Sequence, residues 1–330
     1  MIQQIIDIHP IIMPWVLIAV GFVGLVKGAD FFVDGAASFA RKLGISAAIV
    51  GLTIVAMGTS APEAAVSITA GVKAKWGGEL GAADMAVGNI LGSNLFNLLF
   101  ILGICMIIKP MPTSVCSLKR DFPWAICSTI LFIPMIMDGK LGLIEGIILV
   151  TLFASYIGWM VYQSIKNREK VEDENIMPLY KSFIFLGIGV AMIILGGQFV
   201  VNGAVAVAEN FNMDETLIGL TICAIGTSLP ELVTSVVASK KGESELAVGN
   251  VIGSNIFNLL FILGTTVTIS PIAVNPDMMI DTIILLVATL AMMLFSYTGM
   301  RCNRAEGVVA FTAYLGYTAY IILRAYGILV

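Results

Sequence analysis

Charge is scarce in this sequence of 330 residues. Asp, Glu, Lys and Arg make up 12% of it, 18 basic against 22 acidic residues, whereas a soluble domain uses about 25% to cover its surface. So few charges cannot coat a water-exposed globule of this size. The small net charge of −4 excludes a basic nucleic-acid binder. Histidine occurs once, as His9, ahead of the first apolar run. The five cysteines, Cys105, Cys116, Cys127, Cys223 and Cys302, include no CxxC pair. Disulfide and zinc frameworks need paired spacing, so these read as small apolar fillers. Ser/His, Cys/His and paired-Asp constellations are missing, as is any cofactor loop. An enzyme is therefore not expected, and neither is a bound cofactor.

What fills the chain instead is apolar, with 58% hydrophobic residues and a mean hydropathy of +0.97. Runs of about 20 apolar residues, enough to cross a bilayer, fall near 13–37, 47–71, 84–108, 122–138 and 141–163, then near 181–208, 215–239, 245–270, 278–297 and 305–327. The expected fold is an all-α polytopic membrane protein of ten transmembrane helices, embedded in the lipid bilayer. The opening MIQQIIDIHP has no basic region and no small-residue cleavage site, so the first span is expected to be retained. A charged stretch from Lys166 to Pro178 divides the spans into two sets of five. That gives a first unit at 1–165, a linker at 166–180 and a second unit at 181–330. The linker is too short for a folded regulatory domain, and nothing calls for an obligatory protein partner.

Lys and Arg favour cytoplasmic connections. Alternate connections, starting after the first span, carry Arg41, Lys42, Lys109, Lys119, Arg120, Lys166, Arg168, Lys170, Lys181, Lys240, Lys241, Arg301 and Arg304; the others carry Lys73, Lys75, Lys140 and Arg324. Both termini are thus expected outside the cytoplasmic membrane and the linker inside.

The two halves repeat each other. Gly51–Glu63 (GLTIVAMGTSAPE) and Gly219–Glu231 (GLTICAIGTSLPE) share ten of thirteen residues at an offset of 168. Gly88–Gly103 (GNILGSNLFNLLFILG) and Gly249–Gly264 (GNVIGSNIFNLLFILG) share thirteen of sixteen at an offset of 161. A fainter echo joins Gly28–Ala36 to Gly196–Ala204. Five spans is an odd number, so the second copy must enter the membrane from the opposite side. Inverted repeats of this kind recur in secondary transporters, whose sites lie at the midplane where interrupted helices meet.

Pro62 and Pro230 have no N–H, so each deprives the carbonyl four residues earlier of its helical donor and predicts a break in helices two and seven. One residue further on stand Glu63 and Glu231. An acid in mid-span costs roughly 3 kcal/mol or more to insert and marks an ion or substrate pathway. Thr59 and Ser60, and likewise Thr227 and Ser228, lie three and four positions before each Glu, which predicts that their hydroxyls share its helical face. The second motif adds Ser93 and Asn97, four apart, and in the other copy Ser254 and Asn258. The face of Asn94 and Asn255 lies roughly 100° away from these pairs, and packing and function are equally open for them. Asp30 and Asp34 read as the polar end of a long helix, with Lys27 pairing locally. Asp84 and Glu245 read as helix N-terminal acids. All these candidate ligands are hard oxygens, which select Ca²⁺, Na⁺, Mg²⁺ or Mn²⁺ over zinc or copper. Ca²⁺ accepts six to eight oxygens in flexible geometry. Two glutamates balance one divalent or two monovalent ions, the equivalence that antiport requires.

The motifs GTSAPE with GNILGSNLFN, then GTSLPE with GNVIGSNIFN, closely resemble the two α-repeats of the cation/calcium exchanger superfamily, nearest to its prokaryotic sodium/calcium antiporters. The resemblance implies Glu63 and Glu231 as the central calcium ligands, shared with sodium. It implies oxygens from Thr59, Ser60, Thr227, Ser228, Ser93 and Ser254, backbone carbonyls from Ala56 and Ala224 for outer sodium ions, and amide oxygens from Asn97 and Asn258. It also implies that spans one and six slide across a rigid core. Several relatives, potassium-dependent exchangers among them, carry Asp where this chain has Asn258, which argues against potassium co-transport. The expected function is exchange of Na⁺ for Ca²⁺. Exchange of H⁺ for Ca²⁺ is the alternative, and a cation channel, whose filter usually sits on a symmetry axis along the pore, fits an inverted repeat less well.

Overall fold

The computed structural model describes residues 9–77, 84–112, 117–166, 177–211, 213, 224–326 and 328. They fold as helices joined by short connections. We label these helices α1 Met13–Leu43, α2 Ala47–Thr59, α3 Ala61–Val72, α4 Ala86–Ile108, α5 Phe122–Met135, α6 Leu143–Lys166, α7 Leu179–Asn210, α8 Ala224–Thr227, α9 Leu229–Lys241, α10 Ser244–Ile269, α11 Asp277–Tyr297 and α12 Arg304–Ala325. Seven are long and apolar enough to cross a membrane, and the bent pair α2–α3 makes an eighth. The fourth expected span, 122–138, contains only the 14-residue α5, with Pro134 inside it. The first half of the seventh lies outside the described residues. Conversely α1 runs on to Leu43, beyond the expected end at 37, until Gly44 takes a left-handed φ of 66° and its N–H caps the carbonyls of Ala40 and Arg41.

At the centre stand α10 and α4. Their apolar windows are 94% and 78% buried, against 11% for α12 at the periphery. The pair α1 and α7 lies along one flank. Its seam is made of glycines seven apart: Gly21, Gly28 and Gly35 on α1 against Gly189, Gly196 and Gly203 on α7. A methyl group at Gly21 would lie 2.7 Å from the Gly196 carbonyl oxygen, and one at Gly196 the same distance from that of Gly21; at Gly203 it would meet Pro14 O at 2.6 Å. Without side chains the two backbones touch along their length, as small-residue seams permit in membranes.

Contacts repeat between the halves. Phe96 stacks on Phe100 at 4.6 Å with Tyr314 edge-on to both, while Phe257 stacks on Phe261 at 4.9 Å with Phe153 tilted against both. Subtracting 161 from the numbers of one trio, or adding it, yields the other. The two-residue strands behave alike: β1 (Met111–Pro112) pairs antiparallel with β4 (Arg301–Cys302), and β2 (Lys140–Leu141) with β3 (Ile272–Ala273). One end of the molecule gathers Lys109 beside Gly242 and Arg41 beside Glu243. Helix α10 starts there and, at 1.5 Å per residue, carries the chain about 39 Å to the other end.

Candidate ion-binding site

The first GTS motif forms the break between α2 and α3. A π turn over Gly51–Val55 widens α2, and Ser60 (φ −81°, ψ 9°) leaves the helical region. The axes of the two segments differ by 53°. Pro62 sits at the start of α3, where its missing N–H is harmless, and Glu63 follows in the first turn. The second motif repeats this: Ser228 (φ −93°, ψ 6°) separates α8 from α9, with Pro230 at the start and Glu231 in the first turn. Both carboxylates thus stand at helix N-termini, where free N–H groups and the helix dipole favour negative charge. Both are also deeply buried, Glu63 at 1% and Glu231 at 0% exposure. Among the described residues, no Lys, Arg or His pairs with either.

The serines serve the opposite glutamate from the one expected. Ser60 Oγ donates to Glu231 Oε1 at 2.7 Å, and Ser228 Oγ donates to Glu63 Oε1 at 3.0 Å. The reason is the break itself. Ser60 lies in the break and Glu63 in the first turn of α3, so a three-residue spacing no longer places them on one face. Ser93 Oγ lies 2.7 Å from Ser228 Oγ and 3.3 Å from Glu63 Oε1. Its counterpart Ser254 is buried, with no partner for its hydroxyl among the described residues. Thr59 turns from Glu63 too: its hydroxyl lies within 3.3 Å of the Val55 and Ala56 carbonyls and 3.1 Å from Asn250 Oδ1, while Asn250 Nδ2 donates to Ser235. Thr227 is half-buried, and Ala224 opens α8. Ala56 is buried, and its carbonyl accepts the Ser60 N–H at 3.0 Å.

Asn97 and Asn258 are the second residues of π turns, Phe96–Ile101 in α4 and Phe257–Ile262 in α10; such bulges are frequent at functional sites. Among the described residues, buried oxygens without a hydrogen-bond partner then collect in these motifs: Glu63 Oε2, Glu231 Oε2, Asn97 Oδ1, Asn258 Oδ1 and Ser254 Oγ. A buried acceptor without a donor costs about 1–3 kcal/mol, more if charged. Five of them contributed by four motifs form an unmet demand for positive charge. Among the described residues no three His, Cys, Asp or Glu side chains converge, so the set comprises two carboxylates and neutral oxygens, which suits Ca²⁺ and Na⁺.

The other expectations divide. Glu245 does stand in the first turn of α10, and the backbone is helical from Asp84, two residues ahead of α4 as labelled. Lys27 lies 4.0 Å from Asp30, but Asp30 and Asp34 also hold Lys241, at 3.4 and 2.7 Å, a contact across 200 residues of sequence that no local pattern announces. Cys105 and Cys302 are buried and Cys127 is exposed, and none of the three forms a disulfide among the described residues; Cys116 and Cys223 lie outside the described residues.

Buried, paired carboxylates and bare oxygens inside a multi-pass membrane protein are the features of an ion-transport site. The chain belongs to the family described as sodium/calcium exchanger protein, whose model matches residues 13–162 and 181–323. It is 41% identical over 314 residues to CaxA of Alkalimonas amylolytica, named as a candidate antiporter, covering 92% of this chain and 96% of that one. It is 32% identical over 346 residues to the sodium/calcium exchanger MaX1 of Methanosarcina acetivorans, covering 92% and 97%. Its structure is similar to that of the sodium-calcium exchanger NCX_Mj soaked without Na⁺ and Ca²⁺, with a TM-score of 0.82 and 27% identity over 94% of this chain and 99% of that one.

Proposed function

We propose that this protein is a secondary antiporter that exchanges Na⁺ for Ca²⁺ across the cytoplasmic membrane by alternating access, with Ca²⁺ held between Glu63 and Glu231. The observation that carries this reading is the crossed pairing at the centre. Each carboxylate spends one oxygen on a serine of the other motif and leaves its second oxygen buried, with no partner among the described residues. Two negative charges in a low-dielectric interior cost several kcal/mol each unless compensated. One Ca²⁺ or two Na⁺ neutralise the pair equally, so a loaded site can cross between the two sides and an empty one is held back. Asn97, Asn258, Ser93 and Ser254 complete the oxygen shell. Thr59, Thr227 and the Ala56 and Ala224 carbonyls flank it on the sodium side. Ten spans in two inverted sets of five, at 1–165 and 181–330 around a cytoplasmic linker, put both termini outside. The repeated trios and strand pairs support that arrangement. In this cycle α1 and α7 move together against the helices that carry the motifs.

Purified protein in sodium-loaded liposomes is expected to accumulate ⁴⁵Ca²⁺ on dilution into sodium-free buffer. Uptake driven equally well by a pH gradient with no sodium present would replace Na⁺ by H⁺ as the coupling ion.

A further inference from the structure

Behind the unpartnered oxygens lies a ring of four amides, two of which, Asn94 and Asn255, the exchange chemistry has not used. Asn94 Nδ2 donates to the backbone carbonyl of Asn255 at 3.1 Å, and Asn255 Nδ2 donates to that of Asn94 at 3.0 Å. Asn97 Nδ2 donates to Asn255 Oδ1 at 3.1 Å, and Asn258 Nδ2 donates to Asn94 Oδ1 at 3.2 Å. All four side chains are buried.

The orientation of an amide is assigned from its partners, and here the partners leave one solution. A backbone carbonyl only accepts, so Asn94 and Asn255 must each turn their NH₂ towards it. Their Oδ1 atoms then face the neighbouring amides, which must in turn present NH₂. Asn97 and Asn258 are left with Oδ1 pointing away from the ring, and these are the two amide oxygens that lack partners. A ligand amide free to rotate by half a turn would offer a cation its NH₂ as readily as its oxygen.

We propose that Asn94 and Asn255 are positioning residues of the cation site. Each fixes the ligand amide of the opposite repeat: Asn94 holds Asn258, and Asn255 holds Asn97. The inference rests on the reading of Asn97 and Asn258 as cation ligands. It predicts a crossed pattern of dependence that sequence proximity does not, since Asn94 is three residues from Asn97 and 164 from Asn258.

The experiment is ⁴⁵Ca²⁺ binding to the purified full chain, with monodispersity and melting temperature followed in parallel. Asn94→Ala is expected to weaken Ca²⁺ binding about tenfold or more, as losing an outer-sphere partner does. Asn94→Ala added to Asn258→Ala should cost little further, whereas added to Asn97→Ala it should multiply the loss. Asn94→Ser keeps a hydroxyl towards the Asn255 carbonyl but drops the acceptor for Asn258. It separates holding the helices from holding the ligand, and it too should lose affinity. Unchanged Ca²⁺ affinity in a folded Asn94→Ala or Asn94→Ser protein overturns the inference, as does equal coupling to Asn97 and Asn258. Wild-type affinity in Asn258→Ala overturns the ligand reading itself, and this inference with it.

Discussion

Glu63 and Glu231 were legible as residues because an acid after a proline in mid-span is too costly to keep unless it binds something, and here it occurs twice. Their partners were not legible. Helical spacing assigned Ser60 to Glu63, and the bond runs to Glu231 instead, because the φ and ψ of Ser60 end the helix to which that spacing applies. The amides were half legible: Asn94 and Asn255 share the 161-residue offset of the ligands, but their role depends on contacts between halves that no periodicity encodes. Two expectations follow for single residues. Glu63→Gln and Glu231→Gln preserve shape and remove one charge from a pair whose compensation depends on both, so each is expected to abolish ⁴⁵Ca²⁺ exchange in liposomes while the purified protein stays folded. Retained exchange in either would refute the central site. Ser60→Ala removes a hydrogen bond to a charged acceptor, worth about 1.5–3 kcal/mol. It should therefore raise the Ca²⁺ concentration for half-maximal uptake roughly tenfold or more, acting through Glu231 although Ser60 lies beside Glu63 in the chain.

Among the elements, the long uninterrupted helices were readable from hydropathy alone because each is an apolar run bounded by charge or proline. Two features escaped. Helix α5 continues directly from a π turn over Ser117–Asp121 and ends at Met135, one residue after Pro134 and ahead of the turn at Gly139, so the helical stretch begins and ends earlier than the expected span. The glycine seam between α1 and α7 was visible as a faint echo at Gly28 and Gly196, yet its seven-residue period becomes meaningful only once both helices are seen to lie side by side. That period keeps the same face of each helix on the seam, turn after turn. Gly196→Val would place its side chain where the Gly21 carbonyl oxygen and Leu25 N lie within 2.8 Å of the first added carbon. Overpacking of this kind costs about 1–3 kcal/mol, so the detergent-solubilised variant is expected to melt several degrees lower. Gly187→Ala, on the same helix with open space around it, should melt like the wild type. Equal melting of both variants would show that the seam does not hold the pair together.

The whole molecule is nearly symmetric, and the exceptions bear on how it moves. At the end rich in basic residues, α1 is pinned to the core twice: Lys241 to Asp34 and Asp30, and Arg41 to Glu243 at 2.9 Å. An offset of 168 carries Arg41 to Glu209 and Glu243 to Lys75, again a pair of opposite charge but with the signs exchanged between the helices. Among the described residues no ion pair joins Glu209 to Lys75. The same offset carries Asp30 and Asp34 to Gln198 and Asn202, which are neutral. Among the described residues α1 is therefore clamped at the basic end by two sets of charges, while the counterpart pair at the other end is not engaged. On the proposed cycle and orientation, the structure is closed towards the cytoplasm. Opening that side breaks Arg41–Glu243, and closing the outer side brings Lys75 to Glu209. Partly exposed pairs contribute up to about 1 kcal/mol each, so the two sets bias the equilibrium by at most roughly thirtyfold in favour of the cytoplasm-closed form. Asp34→Asn and Arg41→Ala are each expected to shift the population towards the cytoplasm-open form, read as faster alkylation from the cytoplasmic side of a single cysteine placed between α1 and α9. Glu209→Ala should act in the opposite sense, slowing that alkylation, because it removes a pair made only when the outer side closes. If Glu209→Ala and Arg41→Ala changed labelling in the same direction, the two ends would not be exchanging partners, and the clamp would be a static feature of the fold.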